Sequence, residues 1–523
     1  MALLKSIATL SGLTMLSRLI GFVRDILIAQ FLGATLFADA FFVAWRFPNL
    51  FRSLFAEGTL NVSFVPVFDK VLKDKGEDKA HAFATEAFSV LFYVLLLFTI
   101  VIELGMPYIM DILAPGFKDV PDKLFVTTQL TRITFPFLMM VSLVSLFACI
   151  LNAFNKFAAA AFSPCLLNLT MIAALLGFSS YFSNPAYALA WGVFAAGIIE
   201  FLWLLYHIHC LGFMVRLQSP FQALCHISAE LKTLFKRMLP GVFGSGVYQI
   251  NLLLDTFFAT FVGKGALSWL SYAHHLFQLP IGIIGVAIGT ALLPILSHHI
   301  HTGHNEKAVD EFNRGLEIAF LMSLPCMVGL YILAEPIITV LFERGAFTVA
   351  STLPTARALQ AFSIGLPAYM LTKALAPFFY AHGDTKTPVK IAAIGVVINA
   401  LLCWSLMQIW GHVGIALATG ITVWINAGQY VFLLKNKISL DTCCKQRLYK
   451  IAIACAVMCF SLLCAQHVLS VYKPDWLHLS TLKSGFFLAL LIGLSGSIYG
   501  ACLLLIKAFS IRDFIQIFKR EKV

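Results

Sequence analysis

The chain has 523 residues, 60% of them hydrophobic and 12% charged, with a mean hydropathy of +0.87 and a net charge of +11. A soluble protein of this length cannot hide that much apolar surface, which leaves an integral membrane protein. The basic excess does not point to nucleic acid, because the basic residues lie in short loops between apolar runs rather than in an aromatic-interleaved patch.

Apolar windows of about 20 residues place fourteen transmembrane helices in an all-α chain. They lie near 8–31, 37–64, 84–108, 124–150, 157–182, 185–206, 237–262, 266–297, 316–342, 354–381, 389–410, 412–434, 449–470 and 484–507. Helix 1 follows Lys5 without a small-x-small cleavage site, so it reads as a retained span rather than a signal peptide. Residues 211–236 form a polar connection and a candidate surface helix. The stretch 391–434 has no Lys, Arg, Asp or Glu and is long enough for two crossings, with Trp410-Gly411-His412 as the turn. Most Lys and Arg fall in alternate loops, which places both termini in the cytoplasm.

Helix 2 carries Pro48 and then Pro66, and helix 8 carries Pro280 and then Pro294. This faint repeat suggests two related lobes, as in many transporters. The expected organisation is an N-lobe at 1–210, a linker at 211–236, a C-lobe at 237–436, and helices 13 and 14 with a basic tail at 437–523.

Charged residues inside spans carry the functional signal, because each costs about 2.5–3.5 kcal/mol at the bilayer centre. Helix 1 holds Arg18, Arg24 and Asp25; helix 2 holds Asp39, Arg46, Arg52 and Glu57. Four arginines facing lipid would cost on the order of 10 kcal/mol, so they are expected to face water or each other. Arginine suits phosphate, since its planar fork binds bidentately and stays charged. With three carboxylates opposite, the excess is positive and fits a diphosphate. Arg18 and Arg24 point about 120° apart on a straight helix, and Gly21 between them offers a bend, as Pro48 does in helix 2.

Helix 7 has Asn251 and Asp255 four residues apart, a candidate cation or proton site. Helix 8 has His274 and His275 before Pro280, candidates for pH sensing. The histidines at 298, 299, 301 and 304 read as a solvated loop rather than a metal tract, and the twelve cysteines, without a CxxC pair, as reduced thiols. No enzyme motif is present: there is no phosphate-binding glycine loop, nucleophile elbow or HExxH.

The motifs Ser17-Arg18, Gly21-Phe22-Val23-Arg24-Asp25, Asp39-Ala40-Phe41-Phe42, Pro48-Asn49-Leu50, Arg52, Phe55-Ala56-Glu57-Gly58 and Phe64-Val65-Pro66 resemble the amino-terminal block of the MurJ (MviN) family of lipid II flippases. Leu279-Pro280-Ile281-Gly282, Leu375-Ala376-Pro377 and Thr385-Lys386-Thr387-Pro388 extend the resemblance along nearly the whole chain. It implies a fold of the MOP exporter superfamily, similar to MATE transporters, with two six-helix lobes around a central cavity and two further helices. It implies movement of undecaprenyl-diphosphate-linked disaccharide-peptide from the cytoplasmic to the periplasmic leaflet of the bacterial inner membrane. Lipid II, membrane lipids and the cell-wall synthesis machinery are the implied partners.

By the same resemblance Arg18, Arg24 and Arg52 bind substrate in the cavity with Asp39 and Asn49, while Asp25, Ser17 and Glu57 belong to a portal or gate. The family's helix 8 arginine falls at His275, so this chain departs from the pattern there. Some members bind sodium; Asp255, Asn399 and Thr419 are the matching positions, and the next acid expected on helix 11 is Cys403. The implied cofactor set is empty apart from Na+ or H+ coupling. The rival readings are an ion-coupled antiporter of MATE type and a flippase for another polyprenyl-diphosphate-linked saccharide.

Overall fold

A computed structural model describes residues 2–55, 59–225, 227–435, 441–474, 476–478 and 480–508. The described residues contain no strand and divide into two compact units. The first unit is Met1–Ser268 with Gly345–Phe347, and the second is Trp269–Arg344 with Thr348–Val523.

The first unit holds α1 (Ala2–Leu32), α2 (Leu36–Phe55), α3 (Thr59–Lys75), α4 (Glu77–Leu113), α5 (Pro121–Thr134), α6 (Phe137–Ala153), α7 (Phe157–Phe178), α8 (Pro185–Cys210), α9 (Pro220–Cys225) and α10 (Ala229–Ala259). α1 lies on α7, α7 on α8, α8 on α6, and α2 on α5. α10 packs on α2, α3 and α4. The first compact unit runs to Ser268 and includes α10. Stacked rings fill the interior: Phe64 on Phe68 and Phe83, each with centroids 5.5 Å apart, and Phe88 on Phe147 at 5.5 Å. Each such pair adds about 0.5–1.5 kcal/mol beyond the area it buries.

The second unit begins within α11 (Ala266–Pro280). It continues through α12 (Val286–His301), α13 (Asn305–Ile332), α14 (Ala334–Phe342), α15 (Val349–Ile364), α16 (Leu366–Ala381), α17 (Lys386–Trp410), α18 (His412–Leu434), α19 (Thr442–Tyr472) and α20 (Thr481–Leu505). α19 is tied to α13 by Arg447, which pairs with Glu317 at 2.9 Å, and α20 by Tyr499, whose hydroxyl donates to the Leu321 carbonyl at 2.8 Å.

Several expected spans are two helices end to end. The expected helix at 124–150 breaks between α5 and α6 at Phe135 and Pro136, where proline supplies no backbone N–H. The one at 354–381 breaks at Gly365, just before Pro367. After Pro280 the chain widens into a π-helical turn, Ile281–Gly285, a common outcome where a proline interrupts the ladder. Among the described residues, ten helices are long and apolar enough to cross a bilayer. α1, α2 and α10, which carry Arg18, Arg24, Asp25, Arg46, Arg52 and Asp255, are not in that set.

The polar linker is folded rather than loose. Ser89 Oγ accepts from Gln218 N at 3.0 Å, Tyr93 donates to the Gln218 carbonyl at 2.8 Å, and Glu86 accepts from Ser228 N at 2.7 Å. All three pin it to α4. Its helix is the short α9, and α10 starts at Ala229 behind Ser228, whose side chain accepts from Leu231 N. Lys75 and Glu230 pair between α3 and α10.

Gly345–Phe347 rejoins the first unit at the end of α1, where Ala346 N donates to the Gln30 carbonyl at 2.8 Å. Gly345 has φ +60, and a Cβ there would lie 2.4 Å from that carbonyl oxygen, so only glycine fits.

Candidate functional site

The site is built on one face of α1. Ser17, Gly21 and Arg24 are spaced four and three residues apart, so they share that face. α7 brings Asn168 against it. Asn168 Nδ2 donates to the Ser17 carbonyl at 3.1 Å, and its Oδ1 accepts from Arg24 Nη1 at 2.7 Å. A Cβ on Gly21 would stand 3.3 Å from Asn168 Nδ2, so the glycine is what admits the amide. α1 is helical through this point; the role of Gly21 seen here is close approach.

Arg24 also donates from Nε and Nη2 to Asp25 Oδ1, at 3.0 and 2.7 Å. The two side chains are only 14% and 10% exposed. Three of the five N–H bonds of the guanidinium are thus engaged, and two remain for an incoming acceptor. Arg18, on another face of α1, is exposed.

A second arginine is held on α2. Arg52 Nε donates to Asn49 Oδ1 at 2.8 Å, and Asn49 Nδ2 donates back to the Trp45 carbonyl at 3.0 Å. Pro48 lies inside the same helix and is buried. Arg46 turns to α10, where it donates to Thr256 Oγ1 at 2.5 Å and to the Leu252 carbonyl at 3.2 Å. Glu57 lies outside the described residues.

Asp39, also expected among the substrate-binding groups, is enclosed between elements of the first unit. It is 0% exposed, and both carboxylate oxygens are occupied. Oδ2 accepts from Lys123 Nζ at 2.7 Å and Gly265 N at 2.8 Å; Oδ1 accepts from Ser268 N at 2.9 Å and Ser268 Oγ at 2.6 Å. The carboxylate caps the turn at 265–268, where free backbone N–H groups favour an anion. Lys123 is 3% exposed and lies over the Phe117 ring, 3.9 Å from its centroid. Asp39 thus joins α2 to α5 and to the turn at 265–268.

Asp255 is half-buried on α10 in the first unit, one turn after Asn251, beside the carbonyl and hydroxyl that Arg46 engages. The other two ion-coupling candidates are in the second unit. Asn399 on α17 is 0% exposed, and its Oδ1 accepts from Thr422 at 3.3 Å. Thr419 instead donates to the Ile415 carbonyl within its own helix. His275, half-buried on α11, follows His274, whose ring packs on Phe277 and Phe362 and whose Nε2 lies 2.7 Å from Gln278 Nε2. Among the described residues no cluster of three or more His, Cys, Asp or Glu is arranged to hold a metal.

The family model for the lipid II flippase MurJ matches residues 28–487. The chain belongs to the MurJ family. A MurJ relative from Rhizobium tropici is 41% identical over 443 residues, covering 84% of this chain and 82% of that one. The lipid II flippase MurJ of Burkholderia cenocepacia is 35% identical, covering 82% and 83%. A solved MurJ structure in an inward closed conformation superposes with a TM-score of 0.76 at 26% identity, covering 95% of this chain and 99% of that one. A multidrug resistance MATE transporter of the MOP superfamily, inward-facing, gives a TM-score of 0.66 at 14% identity over 83% and 99%, a likeness of fold alone.

Within this MurJ chain, sequence reasoning singled out the arginines and missed what holds them. Asn168 is a neutral amide in an otherwise apolar helix, Lys123 precedes the expected start of helix 4, and Thr422 is an ordinary helical threonine. Glu200, 3% exposed on α8, was also missed. The cost of a charge in an apolar run, which flagged Arg24, flags Glu200 equally.

Proposed function

We propose that this chain is a lipid II flippase, a transporter rather than an enzyme. It carries the undecaprenyl-diphosphate-linked peptidoglycan precursor from the cytoplasmic to the periplasmic leaflet of the bacterial inner membrane by alternating access. The single observation that carries this reading is the match to MurJ along 28–487. The geometry supports it: Arg24 on α1 is held by the Asn168 amide and paired with Asp25, and Arg52 on α2 is held by the Asn49 amide. An arginine fork suits phosphate oxygens.

In the proposed cycle Arg24 and Arg52 take the diphosphate, with Arg18 and His275 as further cationic contacts. Asp25 and Ser17 shape the Arg24 end of the path. A Na+ or H+ gradient or the membrane potential supplies the drive, with Asp255, Asn399 and Thr419 the residues to examine for an ion. Both termini lie on the cytoplasmic side in this reading, and the cell-wall synthesis machinery takes up the product. Conditional depletion tests the function: lipid II is expected to accumulate facing the cytoplasm and to become inaccessible from the periplasm. Undiminished periplasmic lipid II in depleted cells would refute the reading.

A further inference from the structure

The segment that joins α8 to α10 is docked on one side and bare on the other. Residues 213–219 run without regular structure into α9. Phe213 turns inward, its ring centroid 4.9 Å from that of His81, 5.5 Å from Phe154 and 5.7 Å from Phe68, and Ala223 on α9 is buried. On the outside, Met214 is 50% exposed, Leu217 49% and Phe221 70%, and Arg216 among them is exposed. Isolated exposed apolar residues are ordinary, but three on a short segment tied to a helix mark a contact surface.

α4 identifies what covers that surface. Its ties to the segment, Glu86, Ser89 and Tyr93, are three and four residues apart, and the same spacing continues through Leu96, Ile100 and Leu104. One face of α4 thus carries the segment first and bare apolar side chains beyond it. The exposed apolar residues of α4 run from Val94 to Ile112, about 27 Å at the helical rise, which nearly matches the ~30 Å hydrocarbon core of a bilayer. The exposed ion pair of Asp111 with Lys118 lies at the far end of this band. Ser89 stands about 8 Å outside Val94 by the same rise, and the headgroup region that flanks the core is about 5–8 Å deep. The segment therefore continues the lipid-facing face of α4 at headgroup depth. Apolar side chains placed there reach the acyl boundary, and an arginine there reaches phosphate groups.

We propose that residues 214–221 form an interfacial membrane contact. Met214, Leu217 and Phe221 enter the headgroup–acyl boundary of the leaflet on the Glu77 side of α4, cytoplasmic in the orientation proposed above, and Arg216 meets its phosphates. The partner is a lipid surface, and the contact holds whichever lipid-linked cargo is moved.

Full-length protein in phospholipid vesicles, carrying the photoreactive p-benzoylphenylalanine at one position at a time, tests this. Leu217 and Phe221 are the test positions and Ile100 is the acyl-facing reference. Glu77, exposed at the start of α4 and about 25 Å outside Val94, is the aqueous reference. After irradiation, phospholipid adducts at 217 and 221 are expected at least about tenfold above those at Glu77, attached near the glycerol and the first acyl carbons, with those at Ile100 deeper in the chain. Adducts at Ile100 with none above the Glu77 level at 217 and 221, or adducts there to protein instead of lipid, would overturn the inference. Missing adducts at Ile100 would overturn the lipid-facing assignment of α4 on which it rests.

Discussion

Asn168 sets how Arg24 is used. Its amide bridges Ser17 and Arg24, so Asn168→Ala removes the acceptor at 2.7 Å and leaves the guanidinium tied to Asp25 alone. A hydrogen bond to a charged group contributes about 1.5–3 kcal/mol, so transport is expected to fall at least tenfold while the protein inserts and folds; wild-type flipping by this variant would remove Asn168 from the site. Asp39 and Lys123 predict a different pattern. Losing one partner of a buried pair costs about 3–5 kcal/mol, so Asp39→Asn or Lys123→Met is expected to lower thermal stability in detergent sharply. The double variant is expected to recover part of the loss, whereas additive losses would mean that the pair does not act as a unit. The arginines were legible in the sequence because charge in an apolar run is conspicuous. Their partners were not: an amide or a helix-end lysine has no signal until folding brings α7 to α1 or α5 to α2.

Helices were legible where apolar runs are uninterrupted, as in α7, α8, α17 and α18, each within a few residues of expectation. They were misjudged where proline or glycine splits a run that remains apolar throughout. Hydropathy averages over the break between α5 and α6 at Pro136, and over Gly365 between α15 and α16. Gly345 is a more local case, since nothing in Glu343-Arg344-Gly345 announces that the glycine adopts φ +60 against Gln30. Gly345→Val is expected to detach this segment from α1, because the left-handed backbone costs a side-chain residue about 1–2 kcal/mol and the Cβ meets a carbonyl oxygen at 2.4 Å. A lower unfolding temperature with faster proteolysis after Arg344 is the expected readout; wild-type resistance would contradict it.

For the whole molecule, composition alone established the membrane class, and the amino-terminal motifs pointed to the family later shown by the match over 28–487. The division into compact units was less legible. A repeat of prolines suggested two lobes, whereas the compact units follow packing that only folding creates, such as that of α10 on α2, α3 and α4. The arginine pair is the central claim, because a lipid-linked diphosphate needs cationic groups where the bilayer disfavours them. The most direct test is lipid II movement across vesicles containing purified wild-type, Arg24→Ala or Arg52→Ala protein, with incorporation checked for each. Wild-type protein is expected to expose the lipid on the opposite leaflet and each alanine variant to leave it where it was loaded; equal movement by all three would contradict the account.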